Sequence, residues 1–203
     1  MLKYHLENTD PYDVVIVGDD AALQFAMEYR EELFPEIPVV FEGVNDEEYA
    51  MKAAENPLVT GIIEKLSVEK NIDMALKVNP TADKVVAILD DSVTADAERK
   101  NFYNSAENYP ELEFSEINAA ELETARLQQA ISKVDDKTIL IYIVMSKDGS
   151  GKQYTSDQAL CMIVDYAKVP VYRMVEAGIG DGLLGGNVVS MYKSGEIAAQ
   201  MAM

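Results

Sequence analysis

The sequence predicts an α/β fold of two doubly wound lobes with parallel sheets, and three observations carry that expectation. Continuous apolar runs at 14–17, 85–89 and 138–145 read as strands buried on both faces. Each is followed by a stretch with apolar residues at helical spacing. The alternation fills all 203 residues without a Pro/Ser-rich linker, and such βα order means parallel sheets with right-handed crossovers.

Element by element, the first strand over 14–17 ends in Gly18-Asp19-Asp20. The next stretch places Ala22, Phe25, Ala26, Tyr29 and Leu33 on one helix face and is stopped by Phe34-Pro35. Residues 37–41 form a second strand, Gly43 turns the chain into an acidic helix over about 46–55, and 58–63 form a third strand. Ser67 caps a helix bearing Val68, Ile72, Ala75 and Leu76, ended by Asn79-Pro80. The rhythm has a seam near 61–67, where one sheet is left and a second begins.

The second series opens with the strand 85–89, which ends in Asp90-Asp91-Ser92, and a helix over 94–108 closed by Pro110. Residues 112–117 alternate as a strand, and Asn118 with Glu121 has the spacing of a capping box for a helix running to about 134. The strand 138–145 is followed by a loop over 146–151. A second capping box, Thr155 with Gln158, precedes a helix with Leu160, Met162, Ile163 and Tyr166. Cys161 is expected on the apolar face of that helix, as packing. A strand over 169–175, a Gly-rich loop over 177–186, a last strand over 187–191 and a helix from near Ser194 complete the chain.

Charge and composition exclude several functions. Lys plus Arg number 17 against 36 Asp plus Glu, a formal charge of −19. No basic run exists to neutralise phosphates, so neither nucleic acid nor an anionic lipid surface is an expected partner. One cysteine precludes an internal disulfide, and with one histidine, His5, no His-based triad or zinc site is expected. No metal, no cofactor and no catalytic role is expected. No run approaches the roughly 18 apolar residues of a membrane span.

Open parallel sheets bind ligands at the carboxyl ends of their strands. Those ends carry Asp19-Asp20, Phe41-Glu42 with Asn45, Asp90-Asp91-Ser92, Ser146-Lys147-Asp148 and Glu176. Individually such residues are ordinary helix caps. Together they form an edge of acceptors for amine or hydroxyl donors, with Phe41, Tyr154 or Tyr172 as apolar walls. Other motifs fail on spacing. Asp19-Asp20 resembles a receiver's acidic pocket, but no phosphoacceptor Asp follows at the right distance. Residues 147–152 lack the first Gly of a phosphate loop, and Gly178-Ile179-Gly180-Asp181-Gly182 has Leu183 where a dinucleotide fingerprint needs its third Gly. The Gly-rich segment reads instead as a loop that lets backbone amides approach a ligand.

The segments Tyr12-Asp13-Val14-Val15-Ile16-Val17-Gly18-Asp19-Asp20-Ala21-Ala22-Leu23 and Leu33-Phe34-Pro35-Glu36-Ile37-Pro38-Val39-Val40-Phe41-Glu42-Gly43-Val44-Asn45 resemble the ABC-transporter substrate-binding-like family with the type I periplasmic-binding fold. Thr60-Gly61-Ile62-Ile63-Glu64 and Gly185-Gly186-Asn187-Val188-Val189-Ser190 extend the resemblance. The wording is similar to extracytoplasmic sensor domains of bacterial histidine kinases and GGDEF diguanylate cyclases. The resemblance implies a first lobe of 1–63 plus 191–203 and a second of 64–190. Family members begin with a further βαβ unit, so the N-terminal lobe is expected to be truncated, and an unpaired sheet edge there is expected to favour swapping or a homodimer.

It further implies two lobes closing on a small solute such as an amino acid or other amine-bearing compound. The matching positions are Asp19, Asp20, Phe41, Glu42 and Asn45 from the first lobe, and Asp91, Ser92, Ser146, Asp148, Glu176 and Gly180 from the second. The implied function is a non-catalytic sensor domain on the outer face of the cell membrane, in a parent carrying the membrane segment and a kinase or cyclase. The alternative is the solute-binding subunit of an ABC transporter.

Overall fold

The computed structural model describes residues 2–203. Met1, which the expected first lobe included, lies outside the described residues. The chain divides into two compact units, one running to Lys65 and rejoined by Ser190–Met203, the other spanning Leu66–Val189. Each has its own parallel sheet and its own core.

In the first unit the strands β1 (Val15–Gly18), β2 (Val39–Val44) and β3 (Val59–Ile63) lie side by side in chain order. All pairs are parallel. The helices are α1 (Leu2–Glu7), α2 (Asp20–Glu28), α3 (Arg30–Leu33), α4 (Glu47–Ala53) and, from the returning chain, α9 (Met191–Met201), which packs over β2 and β3. Leu23, Val39, Phe41, Val44, Ala50 and Val59 form the core. The single helix expected up to Leu33 breaks at Tyr29, where Arg30 turns inward and its Nη2 donates to the carbonyl of Ile37 at 3.1 Å.

The second unit has four strands in the order β5-β4-β6-β7, with β4 (Lys84–Leu89), β5 (Glu113–Asn118), β6 (Thr138–Tyr142) and β7 (Val171–Arg173). All neighbours are parallel. Its helices are α5 (Val68–Val78), α6 (Val93–Ser105), α7 (Thr124–Ser132) and α8 (Ser156–Tyr166). The sheet is buried on both faces, as its unbroken apolar strands require. Val85, Ala87, Leu89, Ile139 and Ile141 pack on one side with Ile72 and Phe102, while Ile88, Leu140 and Tyr142 pack on the other with Leu127 and Ile163. This is the period-two division of a strand between two cores.

Four expectations need correction. The helix predicted from Asn118 begins only at Thr124. Asn118 instead caps a single 3-10 turn, its Oδ1 accepting the Ala120 N–H, and the chain is extended at Leu122, whose carbonyl accepts the Gly149 N–H at 2.8 Å. The last strand over 187–191 reduces to an isolated bridge between Val175 and Val189. Ser190, whose Oγ accepts the Lys193 N–H, then caps α9 and starts it three residues before Ser194. Cys161 is exposed, because α8 buries Ala159, Met162 and Ile163 and turns position 161 outward. The box at Thr155 is present as expected: Thr155 Oγ1 accepts the Gln158 N–H at 3.2 Å while Gln158 Oε1 accepts the Thr155 N–H at 3.0 Å. Among the described residues no helix is long and apolar enough to cross a membrane.

Candidate functional site

Each unit presents the carboxyl ends of its strands as one edge, and the polar residues gather there. In the first unit β1 runs out into Asp19, which has φ 78° and ψ 161°. That backbone region is essentially reserved for glycine and costs a residue with a Cβ on the order of 1–3 kcal/mol. The Asp19 side chain accepts the Asp20 N–H at 2.7 Å, and its own N–H donates to the Glu42 carbonyl at 2.9 Å. Beside it Gly43 is also left-handed, at φ 64°. Backbone strain of this kind clusters at functional sites, and here it falls at the end of the sheet where open parallel sheets bind ligands. Asp19→Gly is therefore expected to raise the unfolding free energy by about 1 kcal/mol, net of the lost cap. Chemical denaturation of the two proteins checks this, and equal midpoints would contradict it.

Asp20 is 1% exposed and works within the fold. Its Oδ1 accepts the N–H groups of Asn45 and Asp46 at 3.0 and 2.9 Å, which fixes the turn from β2 into α4. Glu42 lies across the bare end of β1, where a Cβ on Gly18 would come within 2.9 Å of its carboxylate. Glu42 Oε2 accepts the Ser194 hydroxyl of α9 at 2.8 Å. Asn45 Nδ2 donates to the carbonyl of Glu64 at 3.2 Å and lies 3.5 Å from its Oε1, while Glu64 Oε2 is buried with no hydrogen-bond partner. Burial raises the Glu64 carboxyl above its ordinary pKa, helped by repulsion from Asp19, Glu42 and Asp20 and opposed by the Asn45 hydrogen bond. Three further carboxyl groups at this edge thus stand close enough to Glu64 to repel it. Phe41, expected there as an apolar wall, is 3% exposed and belongs to the core, because β2 continues past it to Val44.

In the second unit Asp90 is fully buried at the end of β4. Its Oδ2 accepts the N–H of Ser146 at 2.7 Å and the Ser146 hydroxyl, and its Oδ1 accepts the Ser92 N–H at 3.0 Å. Ser92 in turn caps α6 by accepting the Ala95 N–H. Burial alone would push the Asp90 carboxyl up, but the hydrogen bonds from Ser146 and Ser92 outweigh it and hold the pKa below the usual range. Asp91 is half-exposed and pairs with Lys147 at 3.0 Å.

Asp148 is 2% exposed and organises its own loop. It accepts from the Ser150 N–H and hydroxyl, the Lys152 N–H and the hydroxyls of Thr124 and Tyr154. Burial again acts upward, and this larger set of donors overrides it, so the pKa lies well below the carboxylate range. Tyr172 sits in the core and Tyr154 is tied to Asp148. Glu176 is exposed and its N–H donates to the Val189 carbonyl. Gly180 is also exposed and takes φ 91° with open space where a Cβ would stand, so backbone conformation alone calls for glycine there.

Two residues escape the sequence reading. Glu64 follows the apolar run of β3, the same signal that marked Asp19 and Asp90. Arg173 ends β7 opposite Tyr142, the last residue of β6. Its Cζ stands 4.0 Å from the centre of the Tyr142 ring, and its Nε and Nη1 are buried without a hydrogen-bond partner. A cavity of about 60 Å³ lies against it, lined also by Ser156, Asp157 and Leu160 of α8 and by Ala177, Gly178 and Asp181 of the Gly-rich loop. A cation among the apolar residues of 169–175 was the available signal.

Residues 7–203 match the family described as ABC transporter substrate binding protein. No curated protein matches the chain. Among solved structures, the ABC domain in complex with L-Trp from Streptococcus pneumonia is similar in fold, with a TM-score of 0.66 and 16% identity. The alignment covers 100% of this chain and 69% of that one.

Proposed function

Because this chain belongs to the ABC transporter substrate-binding protein family, we propose that it is a solute-binding domain that takes a small amine-bearing solute, in the first instance an amino acid, at the carboxyl edge of the sheet in its first unit. The observation that carries this reading is the edge of the first unit. There Glu64, with a buried and unpartnered carboxylate oxygen, stands among Asp19, Asp20 and Glu42, whose repulsion it feels. A ligand ammonium would relieve that repulsion and fill the empty acceptor. The similar fold solved with L-Trp supports an amino acid as the first class to try. The role is binding and delivery rather than turnover, on the outer side of the cell membrane. The family match favours a transporter's solute-binding subunit over the sensor domain of a signalling protein, for which no comparison speaks.

Glu64→Gln tests the role of this edge. A carboxyl whose pKa is raised by folding weakens the fold when ionised, and that penalty vanishes once pH falls below the unfolded value near ~4.3. The variant is therefore expected to be more stable than the parent at pH 7, with the difference disappearing in acid. Binding of an amine-bearing solute, measured by isothermal titration, is expected to fall about tenfold or more, the weight of a charge-assisted hydrogen bond. Unchanged affinity together with unchanged stability would remove Glu64 from the reading.

A further inference from the structure

We propose that the small cavity at the end of β7 binds one small monovalent anion, chloride or a short carboxylate such as formate or acetate, wholly within the second unit. This site is separate from the solute edge of the first unit and does not depend on it. Its anchor is Arg173. The Nε and Nη1 atoms of the guanidinium are buried without a hydrogen-bond partner, and donors in that state are costly to keep. Nε lies on one edge of the planar fork and Nη1 on the other, so the fold leaves both edges unmatched.

Acidic residues outnumber basic ones 36 to 17 in this chain, and yet among the described residues Arg173 has no ion pair. Arg99, by contrast, pairs with both Asp96 and Glu116. The Tyr142 ring, 4.0 Å from Cζ, holds the guanidinium plane and leaves its edges for another group. Ser156 and Asp157, the first two residues of α8, line the same cavity. N–H groups at such positions have no partner inside the helix, and the helix dipole favours negative charge beside them.

The cavity sets the size and charge of the guest. At about 60 Å³ it accommodates a halide or a carboxylate of a few heavy atoms, and no aromatic ring. Asp157 and Asp181 are exposed and stand on the lining. Two carboxylates beside one guanidinium limit further negative charge, which favours a monovalent anion over sulfate or phosphate. The anion also has a structural consequence. Ala177, Gly178 and Asp181 bring the Gly-rich loop to the cavity, and the loop's own hydrogen bonds there are short-range. The Ile179 N–H donates to the Glu176 carbonyl at 3.2 Å and the Asp181 N–H to the Gly178 carbonyl at 3.1 Å. An anion between Arg173 and α8 adds a link from this loop to the rest of the unit.

The test uses the full chain, unfolded by heat at constant sodium concentration and ionic strength. Gluconate, too large for the cavity, is replaced stepwise by chloride, formate or acetate, with sulfate as the dianion. At least one of the three monovalent ions is expected to raise the melting temperature saturably, by about 3 °C at roughly tenfold its dissociation constant. Amide exchange at Ile179 and Asp181 is expected to slow in parallel. A larger response to formate or acetate than to chloride identifies a carboxylate site, and the reverse a halide site. Arg173→Met, which keeps much of the bulk over Tyr142, is expected to lose the saturable rise, and Arg173→Lys to keep part of it. Should Arg173→Met fail to fold, Arg173→Lys and the exchange data on the parent carry the comparison. The proposal is overturned if the parent responds alike to all the anions, sulfate and gluconate included, as it would if water alone served the guanidinium. It is equally overturned if Arg173→Met responds as the parent does. No amine-bearing solute enters the experiment, so its failure leaves the solute-binding reading standing.

Discussion

Asp148→Ala is expected to lower the unfolding free energy by about 2–4 kcal/mol at neutral pH, since hydrogen bonds to a charged group each contribute about 1.5–3 and their buried donors would be left unpaired. Asp148 holds together residues far apart in sequence: Thr124 at the start of α7, the turn at Ser150 and Lys152, and Tyr154 before α8. The effect carries a pH signature. Folding lowers this carboxyl's pKa, so its contribution is complete above the unfolded value near ~3.9 and is lost as pH falls through the lower native value. The gap between parent and variant, measured by urea denaturation, is expected to be full at pH 7 and to shrink steadily below about pH 4. A gap that stays constant in acid would show that the carboxylate's charge is not what orders the loop.

Asp90→Ala is expected to cost a similar amount, about 3 kcal/mol, for a related reason. The Asp90 carboxylate has no contact with water and joins two crossovers, the one entering α6 through Ser92 and the one leaving β6 through Ser146. Its backbone carbonyl also accepts Arg99 Nη2 at 2.8 Å. Asp90→Asn can accept one of these sets but presents a donor to the other, so it is expected to fall between Ala and the parent. Hydrogen exchange at Ser92 and Ser146 reads the change locally. Protection at both amides undiminished in Asp90→Ala would contradict the role given to this residue.

These two residues illustrate what the sequence reveals and what it hides. Strand identity is legible because a strand covered on both faces must be continuously apolar, as at Val85, Val86, Ala87, Ile88 and Leu89. Caps are legible where side chain and backbone answer each other locally, as at Thr155 with Gln158. The same local pattern at Asn118 with Glu121 misleads, because the chain is extended at Leu122, where it bonds to Gly149, a residue remote in sequence, and the helix begins only at Thr124.

The candidate edges follow from the rule that parallel strands offer their carboxyl ends to ligands. Which acidic residues there are committed to the fold depends on tertiary partners. Asp20 and Asp148 are engaged with their own loops, and Phe41 is in the core. Glu64 and Arg173 gain their interest from an absence, buried polar atoms without partners, and an absence of that kind has no trace in the sequence.

The most direct test of the account is a calorimetric titration of the full chain with the common L-amino acids at pH 7. At least one is expected to bind in a one-to-one complex, and Glu64→Gln is expected to weaken that complex without unfolding the protein. A folded protein that gives no heat and no thermal shift with any of them would contradict it.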